Sequence, residues 1–211
     1  MKIALINGSP KVEKSASEYI LASLKSLLPD GSEFSEFKFN HVKLSGPDLM
    51  KIADTDLMIF AFPLYVDGIP SHLLHCLYQL ETYLNTNKVK KIRVYAIVNC
   101  GFYEGHQAST ALDMMKNWCS KASLVWGQGI GIGGGGFLAS LEGNPINQGY
   151  LKNLGDALKN IAVNISKNQE SESIYTVPNF PRAIYMVGGN MGWRKQIKEN
   201  GLRQKDIYSK R

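Results

Sequence analysis

The stretch KIALINGSPKVEKSAS, residues 2–17, joins a short apolar run to a loop rich in Ser and Lys. The apolar run predicts a β-strand that ends at Asn7-Gly8, and the end of the loop predicts a helix that begins at about Ala16. A helix start presents unpaired backbone N–H groups and the positive end of the helix dipole, so it holds an anion without a dedicated cationic cage. The stretch therefore predicts a strand, a phosphate-binding loop and a helix, in that order.

The side chains of this loop also suit a phosphate. Ser9, Ser15 and Ser17 can donate hydroxyl hydrogen bonds, while Lys11 and Lys14 can add positive charge. An ordinary turn between a strand and a helix, with a serine as the helix cap, is the alternative that this stretch alone leaves open.

The positions of glycine argue against two other phosphate-binding loops. Residues 8–15 match the triphosphate pattern G-x-x-x-x-G-K-[ST] except at Glu13, whose carboxylate would face the polyphosphate. The later run DLMIFAFP ends in Pro63 and supplies no Asp to hold magnesium. The dinucleotide pattern G-x-G-x-x-G is missing, because Gly8 is the only glycine between the strand and the helix. The loop is thus suited to one terminal phosphate.

Composition predicts a globular protein with one α/β domain and an extension. The chain has 211 residues, of which 44% are hydrophobic and 20% are charged, enough to bury a full core. It shows no charged-then-apolar leader and no apolar run of about 20 residues, which argues against secretion and a membrane span. Cys76, Cys100 and Cys119 are scattered and form no C-x-x-C pair, which fits reduced thiols and argues against a zinc site or an iron–sulfur cluster. We therefore expect a cytoplasmic protein without a bound metal.

The net charge of +6 is concentrated at the C-terminus. Residues 1–193 hold 17 Lys and Arg against 16 Asp and Glu, whereas residues 194–211 hold 7 against 2. Such a tail can attract nucleic acid, an acidic partner or an anionic coenzyme. We favour a solvated basic helix, because no aromatic interleaving or recognition motif supports binding to nucleic acid.

Strand and helix patterns alternate along the chain and predict a doubly wound, parallel, five-stranded sheet with helices on both faces. The predicted strands cover residues 3–6, 33–40, 56–62, 92–99 and 124–132, and the predicted helices cover 16–28, 47–53, 70–84, 107–122 and 147–166. Residues 1–170 form the predicted main domain. Residues 171–211 form a C-terminal strand–helix appendage, with RAIYMVGG at 182–189 as the strand and 191–201 as a basic helix. The appendage is expected to pack on the same domain or on a neighbouring subunit.

Three loops of unusual composition follow strands of this sheet, at residues 8–17, 63–68 and 100–106. In such sheets, ligands bind outside the carboxyl ends of the strands, where the strand order reverses. The second and third loops place aromatic residues beside glycines, so that backbone can approach a flat ring while Tyr65, Phe102 and Tyr103 cover it. A phosphate at the first loop and a ring at the other two describe flavin mononucleotide (FMN).

On these motifs the chain resembles the flavodoxin-like family of NAD(P)H-dependent FMN reductases and quinone reductases. INGSPKVEKSAS is similar to the phosphate loop of that family, FPLYVDGIPSHL to its second flavin loop and NCGFYEGHQAS to its third. The resemblance covers the chain to about Ala122 and implies a flavoprotein oxidoreductase. Such a protein transfers a hydride from NADPH or NADH through FMN to a quinone, a nitroaromatic or another small acceptor. Some relatives carry an iron–sulfur cluster on closely spaced cysteines, which this chain lacks.

The resemblance also implies a set of cofactor-binding residues. The phosphate would be held by Ser9, Lys11, Ser15, Ala16 and Ser17. One border of the flavin ring would be formed by Pro63, Leu64, Tyr65, Val66 and Asp67, and the other edge would be lined by Asn99, Cys100, Gly101, Tyr103, Gly105 and His106. We expect no obligatory acid–base side chain, because a bound flavin performs the redox chemistry itself. We further expect a homodimer or homotetramer, with neither nucleic acid nor a membrane as partner.

Two other motifs invite a functional interpretation that we consider weaker. Residues 131–136, GIGGGG, formally satisfy G-x-G-x-x-G, but no clear helix follows at once, so a flexible loop near the flavin or at a subunit contact is favoured. His72, His75 and Cys76 have ligand-like spacing on one predicted helix, but their neighbours are apolar and no carboxylate lies nearby.

Two alternative functions stay open. One is a flavodoxin-type electron carrier that binds FMN without oxidising pyridine nucleotides, and the other is a flavodoxin-like binding module without a cofactor.

Overall fold

The computed structural model describes residues 1–87, 89–138, 146–203 and 205–206. The described residues divide into two compact units, Met1–Pro178 and Asn179–Arg211. The last five residues of the predicted basic tail lie outside the described residues. No helix among the residues described is both long and apolar enough to cross a bilayer.

The first unit is built on a six-stranded sheet in the order β2-β1-β3-β4-β5-β6, in which every neighbouring pair is parallel. Its strands are β1 (Lys2–Asn7), β2 (Glu33–Lys38), β3 (Leu57–Pro63), β4 (Arg93–Asn99), β5 (Val125–Ile132) and β6 (Ile174–Thr176). Its helices are α1 (Ala16–Lys25), α2 (Gly46–Ala53), α3 (Ser71–Asn87), α4 (Ser109–Lys121), α5 (Gly135–Leu138) and α6 (Lys152–Ser166). Short 3₁₀ turns at Gly105–Ala108 and Gly149–Leu151 lead into α4 and α6.

The central strand β3 shows why the sheet is covered on both faces. Residues 57–62 are fully buried, and side chains alternate between the faces of a strand. Met58, Phe60 and Phe62 join the core cluster that contains buried residues of α2, α3 and α4, whereas Leu57, Ile59 and Ala61 join the cluster with α1 and α6. The two cores place helices on opposite faces, as the alternating pattern predicted.

The sixth strand is a difference from the predicted five-stranded sheet. β6 lies in a polar segment that was not predicted as a strand, and it pairs with the end of β5 through Ile130↔Ile174 and Ile132↔Thr176. Buried side-chain amides fix the chain just before β6. Gln128 Nε2 donates to the Glu172 carbonyl at 2.9 Å, and Asn164 Nδ2 donates to Gln128 Oε1 at 2.8 Å. The strand therefore depends on tertiary contacts rather than on local apolar alternation.

The second unit contains α7 (Arg182–Glu199), and here the predicted strand at residues 182–189 is wrong. This run is helical and continues directly into the predicted basic helix. A short apolar run is compatible with either state when periodicity is the only guide. Pro181, at the N-cap, fits a helix start, and Gly201, with φ of 71°, follows the helix end as expected. No described residue of α7 is buried.

Candidate functional site

The three predicted ligand loops follow β1, β3 and β4, which are adjacent in the sheet. The strand order reverses between β1 and β3, because β2 lies on the far side of β1. Backbone hydrogen bonds join the loops at their roots: Gly8 N donates to the Ala61 carbonyl at 2.8 Å, and Leu64 N donates to the Asn99 carbonyl at 2.8 Å. The structure thus brings the first, second and third loops together at one edge of the sheet.

Asn7, the last residue of β1, organises the first loop. Its Oδ1 accepts from the backbone N–H of Ser9 at 3.0 Å, and its Nδ2 donates to Ser15 Oγ at 3.3 Å. Ser15 is the N-cap of α1, and its Oγ also accepts from the Glu18 N–H at 3.1 Å. Asn7 therefore fixes both sides of the loop, although we did not predict it as a site residue. Its position at the end of a strand, directly before Gly8, was the signal that could have identified it.

Asn99, the last residue of β4, connects the third loop to the first. Its Nδ2 donates to Ser17 Oγ at 3.1 Å and to the Phe62 carbonyl at 3.1 Å. Asn99 was predicted to line the ring edge of the flavin. Its amide group also supports a serine of the predicted phosphate loop.

Hydrogen-bond donors dominate the first loop. Ser9, Ser15 and Ser17 are 4%, 3% and 1% exposed, and each oxygen accepts a hydrogen bond while none of the described residues accepts from their hydroxyl protons. The backbone N–H groups of Ala16 and Ser17, in the first turn of α1, likewise have no acceptor among the described residues. The cationic side chains that we predicted for this loop, Lys11 and Lys14, are exposed. The loop matches the needs of an acceptor-only anion.

The second loop forms a tight turn. Tyr65 N donates to the Gly68 carbonyl at 3.1 Å, and Gly68 N donates to the Tyr65 carbonyl at 3.0 Å. The two residues between them, Val66 and Asp67, have φ of 47° and 57°. This conformation suits Asn and Gly and is strained for a β-branched residue. Val66 is fully exposed and Tyr65 is half exposed, whereas Pro63 and Leu64 are partly buried.

The third loop is held by backbone contacts with the glycine-rich segment at residues 131–136. Gly135 N donates to the Cys100 carbonyl at 2.7 Å, and Gly134 N donates to the Phe102 carbonyl at 2.6 Å. Gly133 N donates to the Thr176 carbonyl at 3.1 Å. These three consecutive N–H groups are used inside the protein and cannot hold a pyrophosphate. The segment supports the third loop, beside the candidate site.

The remaining residues of the third loop have different surroundings. Tyr103 donates through its hydroxyl group to the Pro178 carbonyl at 3.4 Å. The His106 ring packs edge-on against the Tyr175 ring, with 4.8 Å between the ring centroids. Gly105 is buried, whereas Gly101 and Phe102 are exposed. Cys100 is buried, and burial raises the pKa of its thiol. Cys100 is therefore a small buried residue rather than a thiolate nucleophile.

The His72, His75 and Cys76 group does not point to a metal. His72 Nε2 lies 3.2 Å from the Gly8 carbonyl, and Cys76 Sγ donates to the His41 carbonyl at 3.1 Å. In the part of the chain that the structure describes, no three His, Cys, Asp or Glu side chains are grouped as metal ligands. His72 instead ties α3 to the first loop.

No protein-family model matches the chain, and no curated protein sequence matches it significantly. Solved structures do resemble it. An NAD(P)H:quinone oxidoreductase from Methanothermobacter marburgensis aligns with a TM-score of 0.56 and 14% identity, over 78% of this chain and 96% of that one. An NADPH-quinone reductase from P. pentosaceus aligns with a TM-score of 0.53 and 15% identity, over 77% and 98%.

A short-chain flavodoxin associated with a PDU bacterial microcompartment aligns with a TM-score of 0.51 and 16% identity, over 80% of this chain and 99% of that one. At these identities the similarity concerns the fold. The strand order, the parallel pairing and these neighbours together define a protein with the flavodoxin-like fold. The fold that the resemblance implied is confirmed.

Proposed function

We propose that the protein is a flavin-dependent oxidoreductase that binds FMN at the carboxyl edge of its sheet. In the proposed reaction, a hydride passes from NADPH or NADH to a quinone, a nitroaromatic or another small acceptor. The observation that carries the proposal is the group of buried hydroxyl donors in the first loop, at the point where the strand order reverses. The oxidoreductases among the fold neighbours support the same class of reaction.

The first loop fits the phosphate end of FMN. A phosphate monoester carries oxygens that accept hydrogen bonds, and the loop offers the hydroxyl protons of Ser9, Ser15 and Ser17. The N–H groups of Ala16 and Ser17 add the positive end of the α1 dipole. Lys11 can approach from the solvent side, because its side chain is exposed.

The second and third loops fit the ring end. Tyr65 and Phe102 expose about half of their surface, so apolar area is available to cover an aromatic ring. Residues 63–67, together with Asn99, Cys100, Gly101, Tyr103, Gly105 and His106, remain the proposed ring border, with Asn99 also acting at the phosphate end. A bound flavin supplies the hydride chemistry itself. The protein's part is to bind and orient the ring, exclude water and offer backbone N–H groups to the reduced form.

Other expectations accompany this proposal. We propose residues 1–170 as the FMN-binding domain and extend it to Pro178, because β6 belongs to the same sheet. The C-terminal extension then begins at Asn179. We also propose a homodimer or homotetramer and a cytoplasmic location, the latter supported by three buried free cysteines.

The test is the visible spectrum of the purified protein, with FMN added if the protein is colourless, followed by anaerobic NADPH and NADH. We expect bound flavin that loses its absorption with at least one coenzyme. Bound flavin that neither coenzyme reduces would favour the electron carrier, and protein that binds no flavin would contradict the site.

A pair of variants ties flavin binding to the first loop. Ser17→Ala removes a hydroxyl group that is supported by Asn99, and we expect FMN to bind about tenfold more weakly. Ser23→Ala is the matched control, because Ser23 Oγ donates to the Tyr19 carbonyl within α1. Equal FMN dissociation constants for both variants would contradict the proposed phosphate site.

A further inference from the structure

The side-chain amides of Asn7 and Asn99 each have one possible orientation. The side chain of Asn7 faces the backbone N–H of Ser9, which can only donate. The Oδ1 atom of Asn7 must therefore face Ser9, and its Nδ2 atom must face Ser15. Asn99 faces the Phe62 carbonyl, which can only accept, so its Nδ2 must lie there and also reach Ser17. Rotating either amide by 180° would set two donors or two acceptors against each other. Backbone atoms therefore fix which groups the two serines meet.

These orientations determine the direction of the serine hydroxyl groups. Ser15 Oγ accepts from Asn7 Nδ2 and from the Glu18 N–H, which uses both of its lone pairs. The Ser15 hydroxyl group can therefore form one further hydrogen bond, in which it donates its proton. Ser17 Oγ accepts from Asn99 Nδ2, and its proton also has no acceptor among the described residues. Both serines are at least 97% buried, so bulk water does not compete freely for these protons.

We propose that Asn7 and Asn99 are positioning residues that hold the hydroxyl groups of Ser15 and Ser17 as donors toward the phosphate of the ligand. The assignment rests on the proposed function, because it concerns the same loop. Its consequence is selectivity: the loop binds a fully deprotonated phosphate monoester, whose oxygens only accept, and disfavours a protonated phosphate, whose P–OH group needs an acceptor.

Asn7→Asp reverses this polarity at nearly constant shape. One carboxylate oxygen still accepts from Ser9, and the other replaces Nδ2, so the Ser15 hydroxyl turns to donate to it. Ser15 then presents a lone pair to the ligand instead of a proton. We expect the dissociation constant of FMN, measured by flavin fluorescence, to rise tenfold or more. Riboflavin, which lacks the phosphate, should bind as it does to the wild-type protein.

A matched variant separates polarity from charge. Val12→Asp adds the same negative charge to the same loop at an exposed position, and we expect it to weaken FMN binding less than threefold. Asn99→Asp tests the second amide independently, and circular dichroism checks the folding of each variant. One folded asparagine variant is enough for the comparison.

The pH profile distinguishes positioning from a purely structural role. The charged and titratable groups around the loop are Lys11, Glu13 and Lys14 within it, Glu18 with Lys38, which pair at 3.0 Å, and His72, whose Nε2 lies 3.2 Å from the Gly8 carbonyl. The second phosphate pKa is about 6, so wild-type affinity for FMN should fall about tenfold from pH 7 to pH 5. Asn7→Asp should show a shallower fall, because the reversed Ser15 can accept from P–OH. Riboflavin affinity should stay constant in both proteins.

The outcomes separate this assignment from the proposed function. If wild-type protein binds neither flavin, the proposed function fails and this assignment fails with it. If wild-type protein binds FMN, the assignment alone is contradicted by any of three results: wild-type affinity in Asn7→Asp, a loss no larger than in Val12→Asp, or an unchanged pH profile.

Discussion

The first and third loops meet at the same edge of the sheet but are held in different ways. Polar side chains fix the first loop, with Asn7 bonded to Ser9 and Ser15. Backbone fixes the third loop, where the carbonyls of Cys100 and Phe102 accept from Gly135 and Gly134. The first arrangement sets the direction of protons, and the second sets the shape of a surface. In the proposed FMN site, the first loop would be the polar end for the phosphate and the third loop the rigid end for the ring.

The difference predicts how each loop responds to substitution. Side chains in the first loop can be exchanged for others of similar size, so variants there should change ligand binding more than stability. Close backbone contacts around Gly105 and Gly133 leave no room for added atoms, so variants at these positions should change stability first.

The largest loss of stability should come from Gly133→Ala. A Cβ at Gly133 would overlap the Tyr103 carbonyl oxygen and lie 2.9 Å from Gly105 N. Both are backbone atoms and cannot move without displacing the third loop. We expect the free energy of unfolding to fall by about 3 kcal/mol or more, since overpacking against backbone is at the upper end of such costs. Urea denaturation followed by circular dichroism measures it.

Gly136→Ala is the control for this prediction. Gly136 lies in the same segment, but a Cβ there would meet no atom within 4 Å. Its free energy of unfolding should stay within about 0.5 kcal/mol of wild type. Similar losses in both variants would show that the segment needs glycine for flexibility rather than for close approach.

The sequence was sufficient for the fold class and for the position of the first loop between β1 and α1. Residues 57–62 form a buried apolar run, and the alternation of strands with helices left few topologies to consider. Ser15 was recognisable as a helix cap because its residue type and its position after a polar loop agree. Local chemistry and global fold coincide in this part of the chain.

Features that depend on distant partners could not be predicted in this way. β6 pairs through three residues, and the Glu172 carbonyl just before it accepts from Gln128, which lies 44 residues away in sequence and is itself bonded to Asn164. The glycine-rich segment supports the third loop through close backbone contact between Gly133 and Tyr103, and only the folded structure shows this contact. Residues 182–189 were assigned to the wrong element, because an apolar run of that length does not distinguish a strand from a helix.

Alkaline pH should reveal a second contrast between the loops. The charged side chains of the first loop are exposed, whereas the Cys100 thiol of the third loop is buried and has a raised pKa.

Burial also raises the pKa of Cys76 in α3 to about 11. The folded state holds these thiols protonated, so the unfolded state loses protons first above about pH 8.5, and stability falls. A shift of about two pKa units at Cys76 corresponds to a loss of roughly 2 kcal/mol by pH 11.

The measurement is urea denaturation at several pH values between 8 and 11. Cys76→Ala and Cys100→Ala should each reduce the fall in unfolding free energy across this range, whatever their stability at pH 8. Lys11→Ala, at an exposed position in the first loop, should leave the fall unchanged. A cysteine variant with the wild-type pH slope would contradict the assignment of that thiol.

The smallest change in stability should come from a substitution in the second loop. The shape of this loop depends on a strained turn rather than on side-chain amides or on close contacts to glycine. Val66 has φ of 47° and is fully exposed, so its side chain gains no packing in return for the strain. Val66→Asn places a residue that tolerates this conformation, and we expect stability to rise by about 0.5–1 kcal/mol. Val42→Asn is the control, because Val42 is exposed without a positive φ. Equal effects at the two valines, measured by thermal unfolding, would mean that loss of exposed apolar surface, not relief of backbone strain, explains the change.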